Sequence, residues 1–355
     1  MPFEIKENKS DVIKEYISDN IRSGKLRNRI PSMQNLAKHF NVNVKTALKA
    51  VKALEKEGFV YADGAKGTFV NSKKLETQAI AFIGLEFQES SEKMISEISA
   101  LLRKSNSEYV SYAYLLERDF WKREISISMP SNTIGIIMEG GLTLGLEYVI
   151  AHYKQPKVFL YRKYNDYPCI YQDVDSGIKQ AMGHLCALGH RSAAYLGPKP
   201  KDESWNIDLI KEEAFFKYAA EYDITTNKNW NPPVYYFVEE GEKAAKKILS
   251  DKNAPTAFVC VNDEVALGVI NACEELGLNV PGDISIIGFD DRKPATIRNP
   301  QLTTVKVDYE LIAQKGMDLL EKLIWNPETV TEKESRLKIP VQLIVRDSTA
   351  PVKKQ

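Results

Sequence analysis

Lys45, Lys49, Lys52 and Lys56 recur at three- and four-residue intervals in a segment that also holds Asn43 and Thr46. That set suits the reading of nucleic acid. Ammonium groups displace the counterions condensed on phosphates, and asparagine and lysine pair with adenine and guanine edges in a major groove. A lysine run alone is also the ordinary make-up of a solvated helix face. The surrounding charge decides between the two. Residues 21–74 hold twelve Lys or Arg against three Asp or Glu, a net of plus nine in a chain whose formal total is zero, so the remainder carries minus nine. Basic charge segregated in this way is the footprint of phosphate contact.

The elements that must position these side chains follow from spacing. Pro31-Ser32 supplies a rigid entry and a hydroxyl cap, and Met33, Leu36, Ala37 and Phe40 then recur on one helical face. Asn41-Val42-Asn43 breaks that helix and caps the next, whose apolar stripe is expected at Val44, Ala47, Leu48, Val51 and Leu54, with the four lysines turned to solvent. Gly58 stops it. Residues 59–61 and 68–70 then read as two strands joined across Asp63-Gly64-Ala65-Lys66-Gly67. An earlier helix carrying Val12, Ile13, Tyr16, Ile17 and Ile21 covers the core. Helix, helix, helix and hairpin make a winged helix-turn-helix over residues 1–70. The polar, aperiodic stretch 71–78 reads as a linker.

A second set of polar residues is spaced differently. From residue 79 onward short apolar runs (80–87, 134–138, 158–161, 193–196, 234–237, 257–261 and 284–289) alternate with amphipathic helical segments (94–102, 144–152, 177–188, 209–222, 242–249 and 264–276). This alternation implies an α/β unit of parallel sheets with helices on both faces, and the length favours two sheets over one. Ligands of open α/β sheets sit beyond the carboxyl ends of the strands. The residues there are Glu86, Gln88, Arg162, Asn262, Asp263, Asp290 and Asp291. Carboxylates, amides and a guanidinium meeting in a cleft are what a polyhydroxylated ligand needs. Asp263 and Asp291 read equally as caps of the next segment of chain.

Composition narrows the class. Hydrophobic content of 43% and charged content of 27% are those of an ordinary globular protein. No run approaches the roughly 18 apolar residues of a membrane span, and no apolar segment follows the charged start, so the expectation is a cytoplasmic protein without membrane contact. Cys169, Cys186, Cys260 and Cys273 lack the spacing of a zinc or redox site, and His39, His152, His184 and His190 lack metal-like pairing. Neither a nucleophile with a placed base nor a phosphate loop is found, which disfavours an enzyme; no catalytic residue, metal or cofactor is expected.

The run PSMQNLAKHFNVNVKTALKAVKALEKEGFVYADGAKGTFV resembles the GntR-type winged helix, and the resemblance covers about the first 75 residues. Many members of that family place arginines where Gln34, Val44 and Leu48 stand here. Without them, the resemblance implies base reading through Asn43, Lys45, Thr46 and Lys49, with Gln34 beside them. It also implies phosphate contact at Ser32, which is equally a helix cap, and approach of the wing to the minor groove at Lys66 and Gly67.

Three further blocks, LGHR followed by AYLG, VCVNDEVALGVINACEELGLNVPGDISIIGFDD, and PQLTTV, are similar to the effector domain of LacI/GalR repressors over residues 79–347. The resemblance implies a two-lobed periplasmic-binding-protein-like domain with a sugar or nucleobase in its cleft. Lobe one is expected near 79–187 and 306–330, and lobe two near 188–305 and 331–347. Asn262 and Asp290 then fall where sugar hydroxyls are bound, and Lys211 where the family often has arginine. Trp205 would stack on a sugar ring or pack beneath its own loop. Together the two resemblances imply a homodimeric, sugar-responsive regulator, a repressor of arabinose type, that binds a double-stranded DNA operator. Its effector would be a pentose, a deoxyhexose or a sugar phosphate. The alternative is an activator, or a regulator answering a nucleoside or another non-sugar effector. A transport receptor would gain nothing from a winged helix.

Overall fold

The computed structural model describes residues 9–22, 25–26, 28–71, 78–85, 95–96, 98–100, 109–116, 127, 129–139, 143–161, 163, 166–198 and 206–353. The chain divides into two compact units: Met1–Met138, Leu144–Lys157 and Leu320–Glu328 form one, and Glu139–Thr143, Val158–Leu319 and Thr329–Gln355 the other.

The first unit begins with α1 (Lys9–Arg22), α2 (Met33–His39) and α3 (Val44–Lys56). The antiparallel strands β1 (Val60–Ala62) and β2 (Thr68–Val70) come next, with Val60 opposite Val70. Ser32 caps α2 by accepting from the Asn35 amide, Asn43 caps α3 by accepting from the Lys45 amide, and Gly58 ends α3 at φ 76°. The core of this winged helix is Ile13, Ile17, Ile21, Leu36, Ala47, Ala50, Val51, Leu54, Phe59, Val60 and Val70. The expected α3 stripe is corrected at two positions. Val44 and Leu48 are 45% and 40% exposed, and Ala50 is buried in their stead. At about 100° per residue the face centred on Ala47, Ala50 and Leu54 is the one that packs on α1 and α2, which leaves Val44 and Leu48 at its open margin.

Farther along the first unit, β3 (Gln78–Leu85) pairs in parallel with both β4 (Tyr109–Leu116) and β5 (Thr133–Glu139). Ile80, Phe82, Ile83, Ile136, Ile137 and Met138 are buried, as expected of a parallel sheet covered on both faces. Helix α4 (Thr143–His152) comes after β5. Most of the linker stretch 71–78 lies outside the described residues.

In the second unit β6 (Lys157–Leu160), β7 (Cys169–Gln172) and a late strand, β12 (Arg336–Ile339), pair in parallel with β7 in the middle. A five-stranded sheet runs β13 (Gln342–Ile344), β11 (Thr303–Lys306), β10 (Ser285–Asp290), β9 (Ala257–Cys260), β8 (Ala194–Leu196), parallel except for the edge strand β13. The helices are α5 (Val174–Ala187), α6 (Asn206–Glu221), α7 (Val238–Leu249), α8 (Asp263–Glu275), α9 (Tyr309–Trp325), whose residues from Leu320 on are assigned to the first unit, and α10 (Glu332–Ser335).

Two expectations change here. Residues 234–237 are not a strand: pairing is limited to an isolated bridge between Pro233 and Gly197, with the Val234 amide donating to the Gly197 carbonyl, because Pro232 and Pro233 have no amides to extend the ladder on one side and α7, capped by Phe237, begins on the other. The expected lobe boundaries also shift, since α5 packs on α6 and against β11 and β13, and β12 pairs with β7. The first chain crossing therefore falls near Asp173 rather than 188, and residues 336–339 belong with β6 and β7 rather than with the five-stranded sheet. No helix among the described residues is long and apolar enough to cross a membrane.

Candidate functional site

The winged helix presents its candidate contacts outward. Ser32, Gln34, Asn43, Lys45, Lys49 and Lys66 are exposed, and Thr46 and Gly67 half-buried. Both caps are made, so Ser32 holds the entry of α2 through its hydroxyl and Asn43 aligns the first turn of α3 while its amide nitrogen stays at the surface. Lys45, Lys49, Lys52 and Lys56 all stand on the open side of α3. At the wing, Gly67 has φ 117°, and a Cβ there would run into the Arg29 guanidinium, which lies 5.9 Å from the centre of the Phe69 ring. Tyr61 and Phe69 stack with centroids 5.9 Å apart, stiffening the hairpin that carries Lys66. The result is a cationic surface on short, capped, rigid elements.

In the second unit the strand ends bring together more than the sequence suggested. Asn262 caps α8 by accepting from the Val265 amide at 2.9 Å, and its side-chain nitrogen donates to the Tyr236 carbonyl at 3.2 Å. Lys211 is buried; its ammonium donates to the Val261 carbonyl at 2.9 Å and sits 3.9 Å from the Phe289 ring centre. One turn before it on α6, Asp208 is buried and accepts from the Tyr236 hydroxyl at 2.5 Å. Burial raises the Asp208 carboxyl, Lys211 and the Tyr236 hydroxyl draw it back down, and Asp290 pushes it up again. Burial also holds the Tyr236 phenol far above its usual range, so it stays a donor.

Asp290 closes the set from the end of β10. It pairs with Arg292 at 3.1 Å, and Arg292 reaches the Tyr309 hydroxyl at 3.3 Å and Glu264 at 3.4 Å. Asp263 is not a cap. Fully buried, it accepts from the Thr304 hydroxyl and from the Arg292 amide, each at 2.6 Å. Burial, reinforced by Asp290, pushes its carboxyl well up. Gly288 makes room for it, since a Cβ there would collide with the Asp263 carboxylate. Asp291 is tied to Arg346 at 2.6 Å instead of capping a helix.

Three of these strand-end residues have left-handed backbones without being glycine: Tyr161 at φ 70°, Asp290 at 101° and Asp291 at 58°. Each such conformation costs on the order of 1–3 kcal/mol, and positions of this kind gather at functional sites. Tyr161 meets Tyr309 edge-on, with centroids 5.6 Å apart. Among the described residues the Tyr161 hydroxyl and the Arg292 Nε are buried without a hydrogen-bond partner. A cavity of about 200 Å³ is lined by Tyr161, Tyr171, Gln172 and Asp173 and by Ile207 and Ile210, which flank Asp208 on α6.

Of the expected effector residues, Lys211, Asn262 and Asp290 therefore lie in one buried neighbourhood of the second unit. Glu86, Gln88, Arg162 and Trp205 lie outside the described residues. Asp208, Tyr236, Arg292 and Tyr161 were missed. Asp208 precedes Lys211 by three residues, a spacing that pairs side chains on a helix, and Arg292 lies two residues past Asp290. Tyr236 was hidden by the strand reading of 234–237.

Chemically the neighbourhood offers alternating donors and acceptors with aromatic faces. Among the described residues no group of His, Cys, Asp and Glu could hold a metal ion. The four cysteines are unpaired, with Cys169, Cys260 and Cys273 buried, and burial pushes the Cys273 thiol up to about 12. Such thiols are inert packing groups.

Comparison with known proteins agrees with both halves. Residues 9–70 match the family described as bacterial regulatory proteins, gntR family, and residues 182–349 match the periplasmic binding protein-like domain. The probable HTH-type transcriptional repressor ExuR of Bacillus subtilis (strain 168) is 30% identical over 286 residues, which cover 79% of this chain and 84% of that protein. The arabinose metabolism transcriptional repressor of Geobacillus stearothermophilus is 26% identical over 361 residues, 91% of this chain and 96% of that one. Among solved structures, a LacI family transcriptional regulator from Enterococcus faecium with bound ribose superposes with a TM-score of 0.64 at 23% identity, over 78% of this chain and 100% of its own. The Lac repressor dimer bound to operator and the anti-inducer ONPF gives 0.65 at 22%, over 82% and 99%. These structural likenesses carry the fold.

Proposed function

The chain belongs to the family of HTH-type transcriptional repressors that join a GntR-type head to a periplasmic-binding-protein-like body, and from that premise we propose that it represses carbohydrate-utilisation genes under control of a small sugar. The winged helix binds the operator through Asn43, Lys45, Thr46 and Lys49, helped by Ser32, Gln34, Lys66 and Gly67. The effector is a monosaccharide, of pentose or deoxyhexose class or a sugar phosphate, held by Lys211, Asn262 and Asp290 together with Asp208, Tyr236 and Arg292. The functional form is a homodimer, with two heads matched to a roughly palindromic site.

One observation carries the effector reading: Asp208, Lys211, Tyr236, Asn262 and Asp290 converge from the beginnings of two helices and the ends of two strands in a buried neighbourhood. Buried polar groups need partners, and hydroxyls that both donate and accept suit a mixed set of carboxylates, an ammonium and an amide. Because a ligand shifts an equilibrium only by its differential affinity, the sugar must bind the form with weakened operator affinity more tightly than the other.

The test is a thermal-shift screen against monosaccharides and their phosphates, followed by operator binding with and without the hit. Asn262→Ala also removes a helix cap, at about 1 kcal/mol. Asn262→Asp keeps the cap and removes the donating nitrogen, so loss of the ligand response in both, with operator binding intact, supports the assignment. Retained response in both would overturn it.

A further inference from the structure

Val44 and Leu48 are large apolar residues that the core of the winged helix does not use. They remain 45% and 40% exposed while Ala47, Ala50, Val51 and Leu54 fill the packed face of α3. They stand at positions 44 and 48, one turn apart on the same margin, flanked by the exposed Lys45 and Lys49. We propose that Val44 and Leu48 form an apolar reading edge that recognises the 5-methyl groups of thymines in the major groove. The proposal rests on the reading of the head as a DNA binder and names the bases it prefers.

The charge of the surroundings selects the occupant. A net of plus nine over residues 21–74 attracts a polyanion and disfavours a basic or neutral protein partner. Within B-form DNA the thymine methyl is the apolar group displayed on the major-groove edge, where alanine, threonine and aromatic side chains also meet it. Four residues of helix advance about 6 Å, against about 3.4 Å per base step, so the two side chains span one to two steps. The lysines beside them are then free to take phosphates while Asn43 takes a base edge. Arginines, which the GntR resemblance implies at both positions, would favour guanine. This chain therefore trades guanine contacts for thymine contacts at one or two positions in each half-site of its operator.

Burial of one methyl group changes affinity by about fourfold. The experiment selects binding sites for the full-length protein from a random DNA pool, then replaces the thymines of each half-site by uracil one at a time. Dissociation constants are read by fluorescence anisotropy at fixed salt. One or two positions per half-site are expected to lose about fourfold on removal of the methyl. The Val44→Ser, Leu48→Ser variant, whose short polar side chains leave the methyl without an apolar partner, should bind thymine and uracil sites alike while keeping the wild-type dependence on salt. Both positions are exposed and serine and valine have similar helix propensities, so the variant should fold, and its thermal melt verifies this. Equal affinity of the wild type for thymine and uracil sites throughout, or discrimination that survives in the variant, overturns the thymine reading while leaving DNA binding in place. A pool that yields no enriched sequence overturns the DNA-binding premise itself.

Discussion

Removal of the Lys211 ammonium tests whether the buried charges of the second unit act together. Lys211 and Asp208 are 5% and 3% exposed and one turn apart on α6. Burial raises the Asp208 carboxyl, and Lys211 is the largest of the influences that pull it back. In Lys211→Met the unbranched side chain still covers the Phe289 ring, so the change removes the charge and, independently of pH, the hydrogen bond to the Val261 carbonyl. A buried carboxylate stripped of its countercharge costs about 3–5 kcal/mol unless it takes up a proton. Because Asp208 holds its proton more tightly in the folded state, its favourable contribution is present below the unfolded value of 3.8 and is lost as pH rises through the folded value. Loss of Lys211 moves the folded value further up. The stability gap between wild type and Lys211→Met should therefore be smallest in acid and widen as pH rises. At about 3 kcal/mol, the low end of that range, the gap is a fall in Tm of roughly 6–12 °C. Adding Asp208→Asn removes the stranded charge, so the double variant should be more stable than Lys211→Met at about pH 8. Calorimetric melts of the wild type and the two variants from about pH 5 to about pH 8 supply the comparison. A gap that does not change with pH, or a double variant no better than the single one, would refute the coupling.

Three other outcomes are expected from the same packing and charge. Lys45→Ala with Lys49→Ala should flatten the plot of log affinity against log salt by about 0.9 for each phosphate no longer neutralised, or roughly 3.6 for two phosphates on each head of a dimer; an unchanged slope removes these two lysines from phosphate binding. Leu54→Ala, at a fully buried position of the winged-helix core, should cost about 2–5 kcal/mol and abolish operator binding while ligand-induced thermal shifts persist; loss of both activities would place the damage beyond the head. Gly268→Ala should drive a methyl into the Val238 carbonyl and the Glu242 amide where α7 and α8 meet, at a cost of about 1–3 kcal/mol by overpacking; a variant with the wild-type melting point would contradict that close approach.

The winged helix was legible because its signals are local. Ser32 and Asn43 cap helices within three residues of themselves, and Gly58 and Gly67 mark backbone that turns to positive φ. The phase of α3 was not legible, since Val44 and Leu48 continue the apolar rhythm of Ala47 and Val51, and only the close approach of α1 and α2 shows which margin stays open. In the second unit the strand-end rule found Asn262 and Asp290 because both adjoin long apolar runs. It missed Asp208 and Tyr236, whose hydrogen bond joins residues 28 apart in sequence and depends on where a loop after two prolines comes to rest. The part played by Asp263 was equally nonlocal: it is fixed by Thr304, by the Arg292 amide and by the room left at Gly288. Strands β7, β12 and β13 are four, four and three residues long and carry too few side chains for a period of two to stand out.

The strand ends of the second unit are built against stability, and that favours a binding role over a merely structural one. A fold selected only to hold together would place glycine at the left-handed positions, yet Tyr161, Asp290 and Asp291 stand there with full side chains. Left-handed backbone at the end of β10 turns the chain sharply while Asp290 stays beside Arg292 and Asp291 stays bound to Arg346. The buried Asp263 and Asp208 carboxyls, raised by desolvation, add a further cost that apolar residues of similar size would not incur. A ligand whose hydroxyls meet these groups recovers part of that cost only when bound. The recovered energy differs between the two states of the regulator wherever the geometry of these groups differs, and that difference is the only quantity through which a sugar can change operator affinity.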